Sequence, residues 1–126
     1  MMDSGLLIAM LEDGTQFDVL QGNLHGYKGA IFENLAADIL AKLGRKLYYF
    51  HKDSGLEIDF VMRYAGQSTL LEVKSTTGNI KSTKTVLNHP EKYHVGRAIK
   101  LDDYNVGRVG NVLTLPFYMA FLLTAY

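Results

Sequence analysis

The sequence predicts an α/β fold, a mixed β-sheet with helices packed on it, and three observations carry that expectation. One long segment, 29–44, repeats its apolar residues at intervals of three and four, the helical period. Two others, 56–64 and 67–74, alternate apolar and polar residues with the period of two that marks a strand. The signals follow one another as helix, three strands, a crossover and further strands, the order of a layered α/β sandwich.

Taken in order, Asp3-Ser4-Gly5 followed by Leu6 to Leu11 reads as a short helix with Asp3 or Ser4 as its cap. So apolar an opening must pack on the core or on preceding chain. Glu12-Asp13-Gly14 is a turn and 21–26 a loop, in which His25 reads as a surface histidine. In 29–44, Ile31, Phe32, Leu35, Ala36, Ile39, Leu40 and Leu43 form one broad stripe and Gly44 is a natural stop. Lys46 to His51, rich in aromatics, reads as a strand, and Lys52-Asp53-Ser54-Gly55 as the turn leading to the strand pair. Beyond Lys74 a polar stretch leads to a short helix over 83–87 capped by Ser82 and ended by Asn88-His89-Pro90. Residues 97–101 and 111–115 are strands, and Pro116 opens a C-terminal helix over 117–124 as its first residue. That helix is apolar on nearly every side, so the core takes both faces or a partner covers one.

Length and composition bound the function. A chain of 126 residues with 48% apolar residues suits one domain with a sizeable core. Without cysteine there is no disulfide, thiolate zinc site or thiol nucleophile, which suits a reducing, cytoplasmic setting. No signal-peptide pattern opens the chain, and the apolar run 115–123 is far short of the roughly 20 residues that span a bilayer. Net charge is zero but uneven: residues 73–101 hold six basic side chains and one acidic. Lys74, Lys81, Lys84, Lys92, Arg97 and Lys100 could form a positive patch for a phosphate backbone, although the neutral whole argues against avid nucleic-acid binding.

The chemistry concentrates in the strand pair. If the connection closes about Ala65-Gly66, Asp59 lies across from Glu72 and Glu57 across from Lys74, all on one face. Facing carboxylates repel, and a hard cation such as Mg²⁺ would compensate for them with Lys74 as a fixed charge nearby. The competing reading is a wet strand face with a Glu57–Lys74 ion pair. A bulge or a one-residue slip would separate the acids. Glu33, on the border of the helical stripe, either answers the helix N-terminus or overlooks the sheet. Asn34 and His51 read as ordinary polar and peripheral residues, and Pro90 between His89 and His94 argues against a metal pair. No G-x-x-x-x-G-K-[ST] loop and no H-E-x-x-H is present, so the chain offers neither an ATP site nor a zinc hydrolase motif. A carboxylate cluster with one lysine suits phosphodiester hydrolysis: Asp59, Glu72 and the Val73 carbonyl would hold one Mg²⁺ or Mn²⁺, Glu33 would join through water, and Lys74 would orient the attacking water.

Several stretches together resemble a known family. Gly-Ala-Ile-Phe-Glu33-Asn34-Leu-Ala, Leu47-Tyr-Tyr-Phe, Gly55-Leu-Glu57-Ile-Asp59-Phe60-Val61, Leu71-Glu72-Val73-Lys74-Ser75 and Leu115-Pro116-Phe117-Tyr118 are similar to the DUF4143 domain. Asp3-Ser4-Gly5-Leu6-Leu7 resembles a D-[ST]-G-L segment inside that domain. The resemblance implies a restriction-endonuclease-like, PD-(D/E)XK nuclease fold, here one domain over 1–126 cut from a longer protein with an upstream AAA-type P-loop ATPase. It matches Glu33 to the helix acid, Asp59 to the first metal-binding acid, and Glu72 with Lys74 to the E-x-K pair; Ile58 rather than proline precedes Asp59. DNA or RNA is then the expected substrate. The rival expectation is an inactive docking or regulatory module of the ATPase, self-associating through the C-terminal helix.

Overall fold

In the computed structural model, which describes residues 3–11, 13–23, 27–76 and 79–124, Asp3 caps the first helix by accepting the Leu6 N–H at 2.9 Å. That helix, α1, spans Ser4–Ala9. A second short helix, α2 over Thr15–Leu20, follows Gly14 and has no counterpart in the sequence reading. Glu12 of the expected turn, His25 and the stretch 77–78 lie outside the described residues. The long helix, α3, runs Lys28–Lys42 and ends as expected, with Gly44 at a φ of 80° just past its C-cap. Ile31, Ala36 and Leu40 on its stripe are buried, and Asp38 is buried beside them with one oxygen on Lys42 Nζ at 2.7 Å.

Six strands form one mixed sheet: β1 (Tyr48–His51), β2 (Glu57–Tyr64), β3 (Gln67–Val73), β4 (Arg97–Asp102), β5 (Gly107–Val109) and β6 (Val112–Pro116). Their order is β1-β2-β3-β4-β6-β5. The first three strands are successive and antiparallel, as the short turns between them require, whereas β3, β4 and β6 run parallel. The β3–β4 crossover carries α4 (Lys81–Leu87) and α5 (Pro90–Tyr93).

Each face of the sheet has its own core. On one side, Ala36 and Leu40 of α3 pack with Met62, Leu71, Val73, Ile99, Leu101 and Leu115. On the other, Val86 of α4 packs with Ile58, Leu70, Val95 and Ala98. The sheet is therefore the middle layer of an α/β sandwich. No helix of the described residues is long and apolar enough to cross a membrane.

Three expectations need correction. The C-terminal segment is a 3₁₀ helix, Phe117–Leu122, with Pro116 ending β6 at its N-cap position rather than opening an α-helix. Its period of three sets Phe117, Ala120 and Leu123 in one row against the core, and leaves Tyr118, Phe121 and Leu122 exposed. Ser82 lies inside α4 and does not cap it; Ile80 holds that position, and the Ser82 hydroxyl accepts the Glu57 N–H at 3.4 Å. The six basic residues of 73–101 form no single patch. Arg97 donates to Thr69 Oγ1 at 2.8 Å and to the Tyr64 carbonyl on the α3 face, and Lys100 is paired with Asp102.

Candidate functional site

The β2–β3 turn closes at Ala65-Gly66, whose φ values of 46° and 75° are the mark of a type I′ hairpin. The register follows: Tyr64 pairs with Gln67, and the ladder runs to Phe60 with Leu71. There it stops. Against β1, Tyr48 pairs with Val61 but Phe50 with Ile58, so β2 carries one extra residue at 59–60. This bulge sends Ile58 and Phe60, which strict alternation puts on one side, into the two opposite cores.

Beyond Phe60 the two strands part, and the Asp59 carboxylate fills the fork by accepting the Val73 N–H at 2.7 Å. Val73 pairs with Leu101 of β4, while the Lys74 N–H takes the Leu101 carbonyl at 2.8 Å. In an extended strand the N–H and C=O of one residue point the same way, so the Val73 carbonyl also turns toward the fork. The bulge thus gives Asp59 access to the backbone of β3.

Glu72 is only 3% exposed. One of its oxygens accepts the hydroxyl of buried Thr83, from α4, at 2.5 Å, and the other lies 3.3 Å from Lys74 Nζ. Burial pushes the Glu72 carboxyl above its ordinary range; the Asp59 charge and the hydrogen bond that protonated Glu72 donates to it add to that, against the pull of Thr83 and Lys74. Lys74 titrates above the usual lysine value, because Glu72 and Asp59 together outweigh its own desolvation. Glu33 reaches the same field from α3. Partial desolvation and then the Asp59 charge raise its carboxyl, Lys74 opposes and Glu57 adds. Helices on opposite faces of the sheet thus send Glu33 and Thr83 to one end of it.

An open cleft of about 260 Å³ collects Glu57, Asp59, Glu72 and Lys74 between the fork and the start of α4. Glu57 does not pair with Lys74. It accepts the Tyr49 hydroxyl at 2.6 Å, toward β1, and that bond holds the phenol above its ordinary range. The simple cross-strand ion pair is therefore absent. Tyr49 and Thr83 were not singled out in the sequence, because only the tertiary register brings them to these carboxylates.

Residues 28–118 match a family described as a domain of unknown function, DUF4143. The chain belongs to the DUF4143 family. Neither a curated protein nor a solved structure matches it. All the residues just assembled, from Glu33 to Thr83, fall within the matched span of this DUF4143 chain.

Among the described residues, no group of three or more His, Asp or Glu side chains forms a metal-binding cluster. Glu33, which the sequence reading joins to the site through water, is not grouped with Asp59 and Glu72 in these positions. The donor set nevertheless suits Mg²⁺ or Mn²⁺: two carboxylates and one backbone carbonyl are hard oxygen donors. Mg²⁺ characteristically keeps several waters and is held by only one or two carboxylates.

Proposed function

We propose that this DUF4143 domain is a metal-dependent phosphodiester hydrolase, nuclease-like in chemistry and restriction-endonuclease-like in its finer fold, working beside a P-loop ATPase in a reducing, cytoplasmic setting. The observation that carries the reading is the desolvated Glu72 carboxyl set against Asp59, with Lys74 fixed 3.3 Å from it. An apolar pair would be cheaper to bury, so the acids call for a compensating positive charge.

In this reading Asp59, Glu72 and the Val73 carbonyl hold one Mg²⁺ or Mn²⁺. When bound, the ion supplies Lewis-acid stabilisation of the phosphate oxygens and acidifies a coordinated water. Lys74, protonated throughout the neutral range, orients the attacking water and offsets the charge that grows on the phosphoryl group. Thr83 and Val73 N–H fix the carboxylates that would otherwise rotate. Glu33, exposed and with a raised carboxyl, takes the proton that water releases as its oxygen joins phosphorus and the ester P–O bond breaks, the leaving oxygen taking a proton from solvent water.

The test is cleavage of single- and double-stranded DNA and RNA with added Mg²⁺ or Mn²⁺. Activity should appear in the wild type and fall roughly 10²-fold in Lys74→Met. If the wild type cuts none of the four, hydrolysis is wrong. The second reading, a non-catalytic docking module for the ATPase or for a second copy, then gains. Its support is the exposure of Tyr118, Phe121 and Leu122 on the 3₁₀ helix.

A further inference from the structure

A second cavity, about 430 Å³, opens at the carboxyl ends of the parallel strands β3, β4 and β6. Ligands of open α/β sheets favour that end. Ser75 in its wall follows Lys74 of the acid cleft directly in the chain, so both open at the same end of β3.

Its walls are aromatic. Phe32 and Phe117 meet edge to face at 4.8 Å on one side, and Tyr104 and Tyr118 stand out into solvent at 66% and 73% exposure. The charge inside is wrong for a phosphate: Asp102 and Asp103 contribute two carboxylates against the single ammonium of Lys28. Asp102 is spoken for, by Lys100 and by the Asp103 N–H, so Asp103 and Asn105 remain to bond a polar ring edge. A neutral, flat, hydrogen-bonding ring fits such a space, with an attached phosphate kept at the rim by Lys28. On the far side of the acid cleft, β1 presents a parallel stacked pair, Tyr49 and His51, with ring centroids 6.3 Å apart.

Building on the hydrolase reading, we propose that this cavity receives one unpaired nucleobase of a polynucleotide, so that the domain binds single strands or unpaired ends in preference to duplex. A paired base has its ring faces covered by its neighbours and cannot enter; an unpaired one can stack between tyrosines. The neighbouring phosphate is thereby led over Lys74.

Fluorescence anisotropy with a labelled mixed-sequence single strand, and with the same strand annealed, tests this in EDTA, where metal binding plays no part. The single strand should bind tighter. Tyr118→Ala and Tyr104→Ala should each weaken it about tenfold, while Tyr118→Phe keeps the affinity, because the ring and not the hydroxyl stacks. Both tyrosines are exposed, so the variants should unfold with the wild type. Equal binding of strand and duplex, no effect of Tyr118→Ala, or no binding at all would overturn the proposal. Mn²⁺ calorimetry on the wild type separates the two ideas. Metal heat without a preference for the single strand defeats only the base site; a preference for the single strand without metal heat defeats only the hydrolase reading.

Discussion

Glu72 is a residue that the metal-free fold tolerates at a cost. Its folded pKa is raised, so it favours the native state while protonated, below the ordinary carboxylate range, and that contribution is lost as pH rises through the raised value. Asp59 is one of the causes. Asp59→Asn can still accept the Val73 N–H and now donates to Glu72. We therefore expect it to stabilise the metal-free protein by roughly 0.5–1 kcal/mol near neutral pH, with less benefit on acidification than the wild type shows. Urea midpoints between pH 4.5 and 7.5 in EDTA read this directly; a destabilised variant at neutral pH would refute the facing of the two acids. Asp59, Glu72 and Lys74 were legible because alternation about a two-residue turn carries them to one end of the hairpin, although the ladder ends at Phe60 and Leu71 and the bulge does not separate the acids, and Glu33 because of its place on the helical stripe. Thr83, Tyr49 and the fork hydrogen bond to Val73 were not: they depend on how far β2 departs from β3.

Among the elements, the β2–β3 hairpin is where sequence and structure agree most closely, although its turn is written Ala-Gly rather than Asn-Gly. Ala65 takes a φ of 46°, which an L-residue with an unsubstituted methyl adopts at a cost and asparagine adopts more readily. Ala65→Asn should stabilise by about 1 kcal/mol, seen as a higher urea midpoint with unchanged slope. An unchanged midpoint would mean that the strand pair, not the turn, absorbs the strain. The bulge at 59–60 leaves no mark in the alternation, since Phe60 and Val61 are both apolar and either satisfies a core. The 3₁₀ form of 117–122 is equally hidden, because a segment apolar on all sides fits a period of three as well as 3.6. Helices α2 and α5 and strand β5 are too short to show a period.

At the scale of the whole molecule, the mixed sheet, its two flanking layers and the helix–strand–strand–strand order were readable, and the family match over 28–118 agrees with the resembling segments from Gly29 to Tyr118, while Asp3 to Leu7 lies outside it. What the alternation could not supply is the meeting of opposite faces. Glu33 comes from the α3 side and Thr83 from the α4 side, and both meet the Asp59–Glu72 pair at the end of the sheet where β2 parts from β3. The account rests on that fork being a metal site. Titration calorimetry of Mn²⁺ into the wild-type chain and into Asp59→Ala is its most direct test. We expect saturable binding by the wild type, weakened roughly 10-fold or more in the variant. Equal heats from the two proteins, or none from either, would contradict it.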